Sequence, residues 1–320
     1  MSKFKNSIRE KDLSSRKIFF NEFEHKYTDD LDNVYTSVTQ LIDNYEEAFD
    51  TKGMANAVIR KKDSKYYRWT ASAVIKDWNK LRDTACNKGN KKHSYMETAI
   101  KESTGYNTYY DSKSGNTYIK DMLYTIDTIL KKHTYGEVNL EYFIKKGVRD
   151  KYPTIYNIIA NLVNKGYKIY AEIGVYNYNY LISGLIDVLA IKDNNFAIVD
   201  WKTNIDKLNY ESGYFKKDSK GVRTNNWIAT NQYMKYPIHF LQQSHGNTYS
   251  LQLSLYANLV ERFGFVCKAI ILCHIRDTDN GEVVELYPME YMKTYVEAML
   301  EDYHKKRKKK INKQSKLQFN

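Results

Sequence analysis

Apolar and polar positions along the chain change period several times, and each change predicts an element. Lys17 to Tyr27 is rich in aromatics, Thr28 to Asn33 is turn-like, and Val34 to Thr36 resumes an extended run, the pattern of a β-hairpin. Ser37 or Thr39 can cap the helix that follows, where Leu41, Ile42, Tyr45, Ala48 and Phe49 recur at helical spacing. Residues 70–102 also read as helical: Val74, Ile75, Trp78 and Leu81 share a face, Gly89 interrupts, and His93, Met96, Glu97 and Ile100 continue. Residues 104–117 are polar and predict a loop. Residues 118–132 and 151–165 predict two more helices, the second through Ile155, Ile158, Ile159, Leu162 and Val163.

From Tyr167 the period falls to two. Tyr167 to Tyr176 alternates as a strand does, Asn177 to Tyr180 is a turn, and Leu181 to Ile191 is a second, more apolar strand. Asp193 to Asn195 is a hairpin turn, and Phe196 to Lys202 is a third strand. Short turns make the three consecutive and antiparallel. Residues 209–247 are polar and irregular apart from Tyr236 to Leu241, and predict an insertion or lid. A strongly amphipathic helix over 249–263, a strand from Val266 to Ile275 and a helix over 288–304 complete the pattern. The expected fold class is α/β: a mixed central β-sheet flanked by helices, with an N-terminal hairpin and helical additions. The expected organisation is a lead-in over 1–84, a core over 85–304 carrying the insertion 209–247, and a basic disordered tail over 305–320.

Charge adds a partner class. The net charge is +12, and Lys305, Lys306, Arg307, Lys308, Lys309, Lys310, Lys313 and Lys316 supply most of it. A basic chain with a strongly basic end suits a polyanion, although such a run also serves simply as a solvated terminus. The three cysteines, Cys86, Cys267 and Cys273, are scattered without a C-x-x-C, which argues against a disulfide framework and excludes a four-cysteine zinc or iron–sulfur site within one chain. Met1 to Arg9 is polar and no run of about 18 apolar residues occurs, so the expectation is a cytoplasmic protein with no membrane partner.

The candidate chemistry lies in the three strands. Asp187 interrupts an apolar strand, where an ionised carboxylate is costly unless paired. Asp200 and Lys202 are two apart and point to the same face of the next strand. Two carboxylates and an ammonium on one face suit phosphodiester hydrolysis. Hard oxygen ligands hold Mg²⁺, the cation acidifies a water, and the lysine stabilises developing negative charge. On its own an Asp-x-Lys is also a common strand-end salt bridge.

Four blocks widen the reading: Gly89-Asn-Lys-Lys-His93-Ser-Tyr-Met-Glu97, Gly184-Leu-Ile-Asp187, Ile198-Val-Asp-Trp-Lys202 and Gln252-Leu-Ser-Leu-Tyr256. In this order they resemble the PD-(D/E)XK nuclease superfamily, most nearly its RecB-like branch with stand-alone phage exonucleases. The likeness covers roughly residues 85–265, with Asn90 where the family has Thr or Ser. It implies a restriction-endonuclease-like core and a Mg²⁺- or Mn²⁺-dependent deoxyribonuclease, an exonuclease without an iron–sulfur cluster. The alternatives are a structure-specific endonuclease, or an inactive nuclease fold kept for DNA binding or structure. The implied metal ligands are His93, Asp187, Asp200 and the backbone carbonyl of Trp201, with Glu172 as a further acidic partner or an edge-strand surface carboxylate. The implied catalytic set is Asp187, Asp200, Lys202, Gln252 and Tyr256. Lys216, Lys217, Arg223 and Trp227 interleave charge and aromatics in the insertion and are candidate nucleic-acid contacts. The implied partners are DNA, as double-stranded ends or single strands, and a recombination or single-strand-binding protein.

Overall fold

The computed structural model describes residues 16–21, 24–103, 121–123, 125–131, 136, 138–204, 206–278 and 281–318. In chain order the elements begin with β1 (Ile18–Asn21), β2 (Lys26–Asp29), β3 (Val34–Ser37), α1 (Val38–Asp43), α2 (Thr51–Val58) and α3 (Ala71–Ser103). Next come β4 (Asp121–Met122), α4 (Ile126–Lys131), α5 (Leu140–Lys145), α6 (Val148–Lys151), α7 (Pro153–Asn164), β5 (Lys168–Asn177), β6 (Ile182–Lys192) and β7 (Asn195–Lys202). The last are β8 (Gly213–Lys217), β9 (Arg223–Ala229), α8 (His245–Glu261), β10 (Val266–Thr278), β11 (Gly281–Pro288) and α9 (Lys293–Gln318).

The chain divides into two compact units. The first comprises Met1–Ile42, His93–Ile205 and Ser250–Asn320. It holds a nine-stranded mixed sheet in the order β11-β10-β7-β6-β3-β2-β1-β4, with β5 also pairing β6. β5 and β7 each pair antiparallel with β6, as the alternation and turns predict, whereas β10 runs parallel to β7 and β3 parallel to β6. The fold is therefore α/β with a mixed central sheet. Ala171, Val188, Ala190, Ala197, Val199 and Trp201 alternate along the strands and pack with Met96 and Ile100 of α3 and Ile155, Ile159 and Leu162 of α7. α8 buries Leu251, Leu255, Leu259 and Val260 completely.

The second unit comprises Asp43–Lys92 and Asp206–Tyr249. Ala55, Tyr66 and Val74 form its apolar cluster, with Trp78 packed against them. The segment 209–247 is thus part of a packed unit rather than an irregular lid, and its centre is the β8–β9 hairpin.

Several boundaries differ from expectation for identifiable reasons. The N-terminal hairpin is a three-stranded meander, because β1 pairs antiparallel with β2 and β2 with β3. Ser37 caps α1 reciprocally, its Oγ accepting from Gln40 N and its N–H donating to Gln40 Oε1, both at 3.1 Å. That helix stops at Asp43 rather than reaching Phe49, and in the second unit the Tyr45 carbonyl accepts from Lys235 N at 2.7 Å. Gly89 does not interrupt α3, since one glycine costs a formed helix only about 1 kcal/mol. The predicted loop 104–117 lies outside the described residues.

The tail expected to be disordered continues α9 to Gln318. The chain from Met289 onward has no Gly or Pro, and Val296, Met299 and Leu300 are buried, so packing nucleates a helix that good helix formers propagate. Among the described residues no helix is long and apolar enough to cross a membrane.

Candidate active site

The first unit gathers the predicted acidic residues where β6 and β7 part. Their pairing ends at Val188 opposite Val199, and β6 is next paired on that edge by β3, at Ser183 and Ile182. Extending the first register by one residue sets Asp187 across from Asp200. On the other edge, the pairs Ala171–Val188 and Ile173–Ile186 set Glu172 across from Asp187. Three carboxylates therefore form a row across β5, β6 and β7. Glu172 adopts φ 52, a left-handed conformation that a non-glycine residue holds only under strain.

Trp201 organises the centre through its backbone. Its N–H donates to Asp187 Oδ2 at 2.8 Å, so a side chain takes over where the strand ladder stops. Its carbonyl accepts a hydrogen bond from His93 on α3, and His93 Nδ1 lies 3.5 Å from Asp187 Oδ2. Lys202 Nζ stands 2.6 Å from Asp200 Oδ2. Asp200 is only 2 % exposed, and its Oδ2 has no aligned hydrogen-bond partner despite that ion pair.

The electrostatics follow from this crowding. Burial, then the charges of Asp200 and Glu172, push the Asp187 carboxyl well above the ordinary range, against the opposing pull of Lys202 and the Trp201 N–H. Burial also pushes His93 below its usual value, with the Asp200 charge opposing. Among the described residues, no three His, Cys, Asp or Glu side chains form a group that could hold a metal ion.

Gln252 and Tyr256 lie one turn apart on α8, and Gln252 Nε2 donates to the Tyr256 hydroxyl at 3.1 Å. Tyr256 is raised well above the usual phenol range by burial first, then by Tyr27, Asp200 and Asp187, which puts its hydroxyl in the field of the carboxylates. Gly184 makes room for this ring: a Cβ there would lie 2.6 Å from Tyr256 Cε1. The glycine before Asp187 is thus a packing requirement of the α8 tyrosine.

Lys216, Lys217, Arg223 and Trp227 belong to the second unit and are engaged mostly within it. Lys216 pairs with Asp63 at 3.4 Å, and Arg223 pairs with Asp206 and covers the Phe215 ring at 3.6 Å. Trp227 meets Phe215 edge-on at 4.9 Å and lies over the Gly213 backbone, while Lys217 is exposed.

Two residues near the carboxylates were not singled out from the sequence. Tyr27 of β2 is buried and interacts electrostatically with Glu172 and Tyr256. With 30 tyrosines in the chain, nothing marks this one. His274 of β10 pairs in register with Lys202, and its Nε2 meets the Asn204 carbonyl at 2.9 Å. A histidine within an apolar strand was the available signal.

No family model matches the chain, and no curated protein does. Among solved structures the chain is similar to the crystal structure of a "Putative exonuclease" from Eubacterium rectale, at 11% identity and TM-score 0.30, over 86% of this chain and 79% of that one. A TM-score of that size does not establish a shared fold.

Proposed function

We propose that this chain is a divalent-metal-dependent DNA nuclease acting as an exonuclease at DNA ends. The observation that supports it is the juxtaposition of Asp187 and Asp200 on adjoining strands, with the Lys202 ammonium 2.6 Å from one and the His93 imidazole 3.5 Å from the other. Asp200 Oδ2 is buried and has the Lys202 ammonium beside it without an aligned hydrogen bond, so it keeps acceptor capacity that a divalent cation would use. The donor types fit Mg²⁺ or Mn²⁺, hard cations bound through one or two carboxylates while water and phosphate fill other positions.

In this reading Asp187 and Asp200 hold the cation, with His93, the Trp201 carbonyl and Glu172 as further donors. The bound cation would neutralise charge on the scissile phosphate and acidify a water. Lys202 orients the attacking water and stabilises the negative charge that develops as the phosphorus–oxygen bond breaks. Gln252 fixes the Tyr256 hydroxyl, which positions the lysine or a phosphate oxygen. The four sequence blocks that resemble the PD-(D/E)XK nucleases support the same roles.

The test is a time course on end-labelled linear DNA with Mg²⁺, with Mn²⁺ and with EDTA, run beside circular DNA. Metal-dependent shortening from the ends is expected, with circular DNA spared. Asp200→Asn and Lys202→Ala, each folded by circular dichroism, should lose about 100-fold or more in rate. Cleavage at the wild-type rate by either variant removes the assignment. Cutting of circles reassigns the protein as an endonuclease, and salt-dependent DNA binding without cleavage in either metal reassigns it as a binding module.

A further inference from the structure

The densest block of like charge is the C-terminal half of α9. Eight Lys and Arg residues lie between Lys305 and Lys316, and no acid follows Asp302. Glu301 and Asp302 pair with Lys305 at 3.6 Å and Lys306 at 2.6 Å. Among the described residues, Arg307, Lys308 and Lys309 have no carboxylate partner. On one helix, residues such as Lys305 and Lys309 are neighbours one turn apart and repel. A helix that keeps such repulsion is short of anions.

Its base is fixed to the first unit beside the strand that carries Asp187. Arg307 Nη1 donates to the Tyr180 carbonyl at 3.2 Å, and His304 meets the Tyr180 ring edge-on at 5.0 Å. Arg262 lies over the same ring at 4.9 Å. Burial, then the charges of Lys308 and Arg307, hold His304 below its usual value, a local sign of positive potential. Tyr180 lies in the turn before β6, and Asp187 is seven residues on. At ~3.3 Å per residue the anchor lies within about 23 Å of the carboxylate row. From Lys305 to Lys316 the helix spans about 18 Å, the length of about five phosphates along one strand.

We infer that the basic half of α9 is a binding surface for the sugar–phosphate backbone of a nucleic acid, holding the substrate strand beyond the phosphate at Asp187 and Asp200. The second clause rests on the nuclease reading; the first does not. An anionic membrane fits poorly, because between Lys305 and Gln318 only Ile311 and Leu317 are apolar and offer no face to insert. The second unit fits phosphate less well. Arg223 and Lys216 are paired with acids, and its cavity of about 300 Å³ includes Glu46, Asp206 and Glu211 in its lining.

The test uses the full chain in EDTA, so binding is read without cleavage. Anisotropy of labelled single- and double-stranded DNA is followed across salt for wild type and for K305Q/K306Q/K308Q/K309Q, in which glutamine keeps helix propensity. Affinity should fall at least about 10-fold, and the slope of log Kd against log salt should flatten by up to about 3 as phosphate contacts are lost. The matching lysine-to-arginine variant, which keeps the charge, should retain both. Turnover of a single-nucleotide phosphodiester, too short to reach the helix, should be unchanged in the glutamine variant. Unchanged affinity and slope overturn the inference, as does loss of binding to phosphatidylserine vesicles with DNA binding intact. If wild type binds DNA through these lysines but never cleaves it, the surface stands and the nuclease reading falls.

Discussion

At the scale of single residues, the centre is held by contacts that tolerate little change. Gly184 is the clearest case, because a methyl group there would meet the Tyr256 ring at 2.6 Å and Val38 Cγ2 at 3.3 Å. Both neighbours are buried, and a close-packed interior resists their withdrawal. Gly184→Ala should therefore destabilise the protein by about 1–3 kcal/mol through overpacking, lowering Tm by about 2–4 °C for each kcal/mol. Displacing Tyr256 should also reduce any nuclease rate. The cause can be isolated with a double-mutant cycle: in a Tyr256→Leu background the cost of Gly184→Ala should shrink, because the obstruction is gone. Additive thermal shifts would mean that the ring is not what excludes a side chain. Glu172 shows the opposite economy. Its left-handed φ and its place beside Asp187 are both unfavourable, and such strain is characteristic of residues kept for what they do rather than for how they pack.

Single elements depend on local polar closures, and Asp29 at the end of β2 is the most complete. Its Oδ1 accepts from Leu31 N and Asn33 N, both at 2.9 Å, and its Oδ2 from Asn33 Nδ2 at 2.9 Å and the Tyr35 hydroxyl at 3.0 Å. Burial alone would raise this carboxyl, but the bonds from Asn33, Leu31 and Tyr35 outweigh it and leave the value below the ordinary range. A depressed folded value contributes stability that is present above the unfolded value of about 3.9 and is lost as the pH falls through the folded one. Asp29→Ala should cost about 2–4 kcal/mol at neutral pH, measured by urea unfolding, and the difference from wild type should narrow in acid. A gap that stays constant with pH would assign the loss to packing instead. The turn around Asp29 was legible in Thr28 to Asn33, as was the β5–β6–β7 meander in its alternation and its two polar turns. The parallel pairing of β10 with β7 was not, because it is set by chain folding over long separation rather than by a local signal. At the centre, Asp200 and Lys202 were legible from their spacing of two, but the row through Glu172 depends on strand register. The role of the Trp201 amide depends on where a ladder stops, which no side-chain pattern encodes.

For the molecule as a whole, the carboxylate row ties stability to pH and, on the proposed reading, to cations. Asp187 sits in the middle of the sheet, and its carboxyl is raised by burial and by the charges of Asp200 and Glu172. The stability contributed by a group with a raised folded value is complete below the unfolded value, about 3.9, and is lost as the pH climbs through the folded value. Wild type should therefore lose ground against Asp187→Asn as the pH rises from about 4 towards neutrality, since the amide carries no charge to bury. The Tm difference, small in acid, should open in favour of the variant. On the proposed reading a divalent cation should reverse this order, because it would bind the folded wild type through the ionised carboxylates. At ten times its Kd a ligand adds about 1.4 kcal/mol, or about 3 °C in a protein of this size. Mg²⁺ or Mn²⁺ should raise the wild-type Tm by about that much and leave Asp187→Asn unmoved, and sodium at matched ionic strength should do neither. Calorimetry across pH, with and without the cations, reads both effects on one sample. A variant no more stable than wild type at neutral pH would show that Asp187 stores no repulsion in the fold. An equal cation shift in both proteins would place the ion elsewhere.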